Sequence, residues 1–192
     1  DCKPEYLVQF AYLGSFYAQQ VLGLARPRVG LLNIGAEDSK GTDLQKQTLA
    51  RLKEADAAGH LHFIGNIEAK EAIKGGCDVI VTDGFSGNIL LKTMEGVGSF
   101  AGSALKSMFK KNLLTKLAAL AVMPGLNAFK DKLDPNKVGG TAFIGISKAV
   151  IKAHGASNAE AIENAVGQAA AFARSGLIEK IEENVNLMKI EQ

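Results

Sequence analysis

At 192 residues, with 47% apolar and 22% charged side chains, the chain has the length and composition of a packed globular domain, and wholesale disorder is excluded. The net charge of +2, with no arginine-rich run interleaved with aromatics, argues against a nucleic-acid surface. Cys2 and Cys77 are the only cysteines and stand in no CxxC or CxxxH spacing, which rules out a disulfide framework and a thiolate zinc site.

Sparse cysteine suits a reducing, cytoplasmic setting. Cys77, ahead of an apolar run, reads as a small buried hydrophobe. No basic, apolar and small-residue signal pattern opens the chain, and no stretch approaches the ~20 apolar residues of a spanning helix. The chain starts at Asp1 and moves almost at once into a helical pattern, as a piece of a longer protein does.

Pro4 suits a first helical turn, and Tyr6-Leu7, Phe10-Ala11, Leu13-Gly14 and Tyr17 recur at near-helical spacing, so residues 4–24 are expected to be a helix. Arg26-Pro27-Arg28 ends it. Residues 29–34 form a short, nearly all-apolar run of the kind buried in parallel sheets, followed by a polar loop from Gly35 to Gly41. A helix is expected from about Thr42 to Ala58, with Thr42 or Asp43 as its N-cap. The cycle then repeats. Residues 60–64 read as a strand, Gly65-Asn66 as a turn, 68–74 as a short helix, 79–82 as a buried strand and 83–88 as a loop. A long helix is expected over about 89–108. Strand–helix order with short connections means α/β architecture: a parallel sheet with right-handed crossovers and helices on both faces.

Residues 105–137 change character. Leu105, Met108, Phe109, Leu113, Leu114, Leu117, Leu120 and Val122 make an amphipathic stripe, while Lys106, Lys110, Lys111, Lys116, Lys130, Lys132 and Lys137 face only Asp131 and Asp134. A glycine-framed apolar segment over 138–145 and a strand at 149–155 follow, then helices over about 157–174 and 176–187. Residues 1–134 are accordingly expected to form an α/β lobe carrying a basic amphipathic helical segment at about 105–134, and 135–192 a C-terminal strand and helices. No internal repeat or low-complexity tract is present.

Ligands of parallel α/β sheets bind at the carboxyl ends of strands. Three strands are expected to deliver glycine-rich polar loops there: Asn33-Ile34-Gly35 running on to Lys40-Gly41, then Asp83-Gly84-Phe85-Ser86-Gly87-Asn88, and His154-Gly155-Ala156-Ser157. Glycines let amides turn toward a ligand, and a helix N-terminus adds about half a positive charge. With Lys40 and Lys92, this is chemistry suited to a phosphate. Each element also has a plain reading. Asp83-Gly84 and Gly87-Asn88 fit turn and cap chemistry, Lys92 fits a solvated helix face, and His154 fits a structural histidine. His60 and His62 alternate along a strand and read as structural, with no third metal ligand nearby. A dinucleotide fingerprint and a P-loop are both missing: Gly96, Gly98 and Gly102 lie inside a helical run.

Taken together, Val29-Gly30-Leu31-Leu32-Asn33-Ile34-Gly35 with Asp38 and Lys40-Gly41, Phe63-Ile64-Gly65-Asn66-Ile67-Glu68, and the run from Asp78 to Asn88 resemble a known family. Leu91-Lys92-Thr93, Glu95-Gly96, Gly139-Gly140 and Ala153-His154-Gly155-Ala156-Ser157 extend the likeness over essentially the whole chain. It resembles the PlsX-type phosphate acyltransferases of bacterial phospholipid synthesis.

The resemblance implies transfer of a fatty acyl group from an acyl carrier protein thioester to inorganic phosphate, giving acyl phosphate, with no cofactor and no metal. It also implies a homodimer with a fold like that of isocitrate and isopropylmalate dehydrogenases, in which two α/β lobes flank a cleft. Lys40, His154 and Asn88 become the catalytic candidates. Gly84, Phe85, Ser86, Gly87, Lys92, Asp83, Asn33 and Gly35 become the phosphate- and substrate-binding ones. The basic stripe then meets acidic carrier protein, or lies against the inner face of a membrane, or is simply packed helix.

Two departures stand out. Family chains begin with a further α/β region, nearly as long again, that this sequence does not contain and with which 135–192 is expected to pack. Val138 stands where an aromatic is expected before Gly139-Gly140. A non-catalytic binding lobe, or a dehydrogenase-like cofactor-binding fragment, is the alternative.

Overall fold

The computed structural model describes residues 2–133, 137 and 139–189, and of 127–133 the backbone alone. The expectations placed on Val138 and on the charges of Lys130, Asp131, Lys132 and Asp134 lie outside the described residues. The chain divides into two compact units. The first comprises Asp1–Ser86, Ala142–Ile151 and Ala169–Gln192, and the second Gly87–Thr141 and Lys152–Gln168.

In the first unit, α1 (Pro4–Gln20) starts on its proline and buries Leu7, Ala11, Tyr12, Ser15, Phe16 and Ala18, which recur at helical spacing. It lies across β3 (Val79–Val81) and against α2 (Asp43–Ala57). Gly14 makes that crossing possible, since a Cβ there would stand 2.6 Å from Val79 Cγ1. The opening residues of α2 are fastened by a capping box: the Thr42 amide donates to Gln45 Oε1 at 3.1 Å, and the Thr42 side chain accepts in return.

The sheet has three strands in the order β2–β1–β3, with β1 (Val29–Asn33) central and parallel to both β2 (Phe63–Glu68) and β3. Its core joins Val29, Leu31, Phe63 and Val81 to Leu7, Phe16, Leu49 and Leu52, and to Phe172 and Leu177 of the last segment. Tyr17 meets Phe172 edge to face, with ring centroids 6.4 Å apart. Arg28 ties β1 to the approach of β3: it donates to Asp78 at 2.9 Å and to the carbonyls of Gly75 and Gly76.

Parallel α/β order is therefore observed, with corrections in detail. β2 starts at Phe63 instead of residue 60, because Gly59, with a φ of 76°, ends α2, and the His60 amide is bound back to the Ala55 carbonyl. Gly65-Asn66 is no turn. It lies within β2 at a bulge, where Val29 pairs with Phe63 and Leu31 with Asn66. The strand carrying His154, expected beside the others, is β5 (Val150–Ala153). It pairs with β4 (Gly140–Phe143) in a separate two-stranded sheet.

The second unit holds most of α4 (Gly84–Phe109), then α5 (Leu113–Leu133) and the first ten residues of α6 (Ala159–Arg174). Residues 110–112 separate α4 from α5 within the segment expected to be amphipathic and helical at about 105–134. There the Thr115 amide donates to Asn112 Oδ1 at 2.9 Å and the Asn112 amide to Thr115 Oγ1 at 3.1 Å, a reciprocal cap that starts a new helix. Gly139, with a φ of 90°, lies so close to α6 that a Cβ would come within 2.5 Å of the Ala165 amide nitrogen. α7 (Leu177–Glu183) and a single 3-10 turn (Val185–Met188) close the chain in the first unit. Among the described residues, no helix is long and apolar enough to cross a membrane.

Candidate active site

Two candidate loops leave one edge of the first unit's sheet. Leu31 of β1 pairs with Val81 of β3, so Asn33 and Asp83, each two residues further on, are level at the carboxyl end of neighbouring parallel strands. Such strands lie about 4.8 Å apart.

The β1 loop is built around Lys40. The Lys40 amide donates to the Glu37 carbonyl at 3.1 Å, and the Lys40 carbonyl accepts from Asn33 Nδ2 at 3.2 Å. Asn33 Oδ1 takes the Ile34 amide at 2.8 Å, so this asparagine spends both ends of its side chain on shaping the loop. Gly35 is buried. A Cβ there would press to 2.7 Å from Glu37 Oε2 and 3.0 Å from Lys40 Cγ, so the missing side chain leaves room for the lysine stem. Gly41, with a φ of 87°, turns the chain into the capping box of α2. Asp38 is paired with Lys53. Lys40 itself is exposed and makes no ion pair among the described residues.

The β3 end is different. Asp83 Oδ1 accepts the Phe85 amide at 3.0 Å and the Ser86 amide at 2.9 Å. These bonds start α4 at Gly84, five residues before the expected helix at 89, so the expected loop of 83–88 is mostly first helical turn. The Ser86 amide chiefly, opposed by burial and helped by the Ser86 hydroxyl and the Phe85 amide, lowers the Asp83 carboxyl below its ordinary range. Two amides expected to grip an anion are thus already neutralised by the protein's own carboxylate. Asp83, placed among the substrate-binding residues, is spent on the helix start, and Ser86 is turned toward it. Phe85 is largely exposed.

In the second unit, Gly87 and Asn88 continue α4, and Asn88 is exposed. Lys92, one turn on, is paired with Glu95 at 2.7 Å. His154 follows β5, is exposed, and its Nδ1 accepts the Ala156 amide at 3.1 Å. With Nδ1 an acceptor, the neutral ring carries its proton on Nε2, which makes His154 a hydrogen-bond donor through that nitrogen. Among the described residues, no group of three or more His, Cys, Asp or Glu is placed to hold a metal ion.

One residue passed over as a turn stands out. Asn66 is 8% exposed, and its Nδ2 donates to the Glu37 carbonyl at 2.9 Å, reaching from β2 into the loop that carries Lys40. Nothing in the local sequence signals this, because it depends on the bulge.

The profile of the fatty acid synthesis protein family matches residues 1–180. The chain belongs to that family. It is 46% identical over 96% of its length to a phosphate acyltransferase of Brevibacillus brevis, and equally so to one of Bacillus licheniformis, covering 54% and 55% of those proteins. A phosphate acyltransferase of Lysinibacillus sphaericus is 44% identical over 100% of the chain and 57% of its own length. These relatives bear out the resemblance read from the motifs. The chain spans about half the length of the curated relatives it matches.

Proposed function

We propose that the protein carrying this chain is a phosphate acyltransferase, moving a fatty acyl group from acyl carrier protein to inorganic phosphate to supply acyl phosphate for phospholipid synthesis. The observation that carries the site is the Lys40 loop: an exposed cation, without an ion pair among the described residues, on a hydrogen-bonded turn at the carboxyl edge of a parallel sheet. Family membership and relatives named for this activity support the reaction. The dehydrogenase-like fold, with a further α/β lobe completing a cleft, and the homodimer remain part of the same reading.

In this reading a phosphate oxygen attacks the thioester carbonyl, a tetrahedral oxyanion forms, and the C–S bond breaks to release the carrier thiolate. Lys40 holds the phosphate dianion and offsets its charge as it approaches. Asn33 and Gly35 shape the backbone beneath it. Asn88, Lys92 and the Gly84–Gly87 backbone keep the phosphate-orienting role that the resemblance implies. With Phe85 and Ser86 amides capped by Asp83, that role falls mostly on side chains. His154 donates from Nε2 to the oxyanion or to the leaving sulfur. Thiolate leaves readily, and the only group the Ser86 hydroxyl meets among the described residues is the Asp83 carboxylate, held below its ordinary range and so too weak a base to activate a serine, which favours direct transfer.

The exposed Leu113, Leu114, Leu117 and Leu120, among Lys106, Lys110, Lys111 and Lys116, form the surface proposed to steer acidic carrier protein. Liposome flotation tests the rival membrane role: flotation lost in Leu117→Glu would favour lipid over carrier.

The deciding experiment incubates full-length protein with acyl carrier thioester and phosphate and follows thiol release. Phosphate-dependent release is expected, and its absence would reduce the protein to a binding lobe. A stable acylated Ser86 would overturn direct transfer.

A further inference from the structure

Resting on the assignment of Lys40 to the phosphate, we infer that Asn66 is a positioning residue of the reaction, holding the turn that presents that lysine. The bulge at Gly65, whose φ is 93°, adds a residue to β2 and sets Asn66 level with Leu31. Its side chain is buried there, where an amide is costly unless its groups are bonded. Nδ2 donates to the Glu37 carbonyl at 2.9 Å, while Oδ1 has no donor among the described residues. A side chain satisfied at one end only is a poor device for stabilising a strand. Its distinctive contribution is the bond to Glu37.

That carbonyl is the acceptor that closes the turn, since it also takes the Lys40 amide at 3.1 Å. Asn33, from the end of β1, holds the Lys40 carbonyl at 3.2 Å. Both backbone groups of Lys40 are therefore secured through two asparagines on adjacent strands, and its ammonium makes no ion pair among the described residues. Asn66 never meets the phosphate. It acts by removing freedom from the backbone that carries the cation, and displacements of about 1 Å in such a support cost up to about a hundredfold in catalytic efficiency.

The test uses full-length enzyme, with Asn66→Asp replacing the donor by an acceptor of the same shape and Asn66→Leu keeping the site filled without a polar group. Both are expected to raise the phosphate KM about tenfold, with a smaller change in kcat. Asn66→Leu is expected to melt at or above the wild-type temperature, a combination that a merely structural role does not produce. Hydrogen exchange should quicken over residues 36–41 and stay unchanged in Val29–Asn33. Combining either substitution with Lys40→Ala should cost little beyond Lys40→Ala alone. An unaltered KM in Asn66→Leu beside a raised one in Lys40→Ala would overturn the positioning role, as would multiplying effects in the double variant. If Lys40→Ala leaves the KM unchanged, the phosphate assignment of Lys40 falls instead, and the exchange pattern still reports whether Asn66 holds the turn.

Discussion

The neighbouring ends of β1 and β3 treat charge in opposite ways. At β1 the backbone is held by asparagine side chains, and the cation of Lys40 is left without an acidic partner among the described residues. At β3 the helix start, with its partial positive charge, is already answered by Asp83. A glycine-rich loop before a helix is therefore not enough to make an anion site. What matters is whether the protein supplies the anion itself.

The contrast breaks most directly at Lys40. If the proposed reaction holds, Lys40→Ala in the full-length protein is expected to lower kcat/KM for phosphate by about a hundredfold, the scale of losing one aligned charge-stabilising group. Thiol-release kinetics measure it, and a wild-type profile would remove Lys40 from the site. Gly41→Ala attacks the same loop through its backbone. A Cβ on a residue with a φ of 87° would stand 2.7 Å from Gln45 Cβ and 2.9 Å from Asn33 Nδ2. A loss of about 1–3 kcal/mol in urea unfolding is expected.

At the other strand, Asp83→Ala should cost about 1 kcal/mol by removing a helix cap. It also uncovers two amides. Should phosphate then bind more tightly in calorimetry, the internal carboxylate is confirmed as the competitor. Unchanged binding would confine Asp83 to the helix start.

The smallest effect concerns acid stability. Hydrogen bonds from the Arg28 side chain, then from its backbone amide, hold the Asp78 carboxyl at about 2 against an ordinary 3.8. A carboxyl depressed in the folded state contributes stability in full above its ordinary pKa and loses it as pH falls toward the folded value. The urea midpoint of Asp78→Asn should therefore lie slightly below wild type at neutral pH, with the gap closing between 3.8 and about 2. A gap that persists at the acid end would assign the effect to packing.

The alternation of short apolar runs with amphipathic segments made β1, β3, α1 and α2 legible, and Thr42 was one of two N-cap candidates for α2, while its pairing with Gln45 came only with the structure. Loop composition likewise marked Asn33, Gly35 and Lys40 as neighbours of one turn. The same reasoning put α4 five residues late, since Asp83 and Gly84 suit a turn as well as a cap, and only the hydrogen bonds distinguish them. It also seated His154 in the main sheet, because a strand pattern says that a strand forms and leaves its pairing partner open.

Sequence alone determined the α/β class, the family and the identity of the loop cation, because each is written in short local motifs, for the family several of them in a fixed order along the chain. Tertiary structure alone decided that Asn66 reaches the Glu37 carbonyl and that Asp83 occupies the amides it precedes. A one-residue bulge and a rotamer choice set those two bonds, and both depend on what the neighbouring strand and helix place within hydrogen-bonding distance.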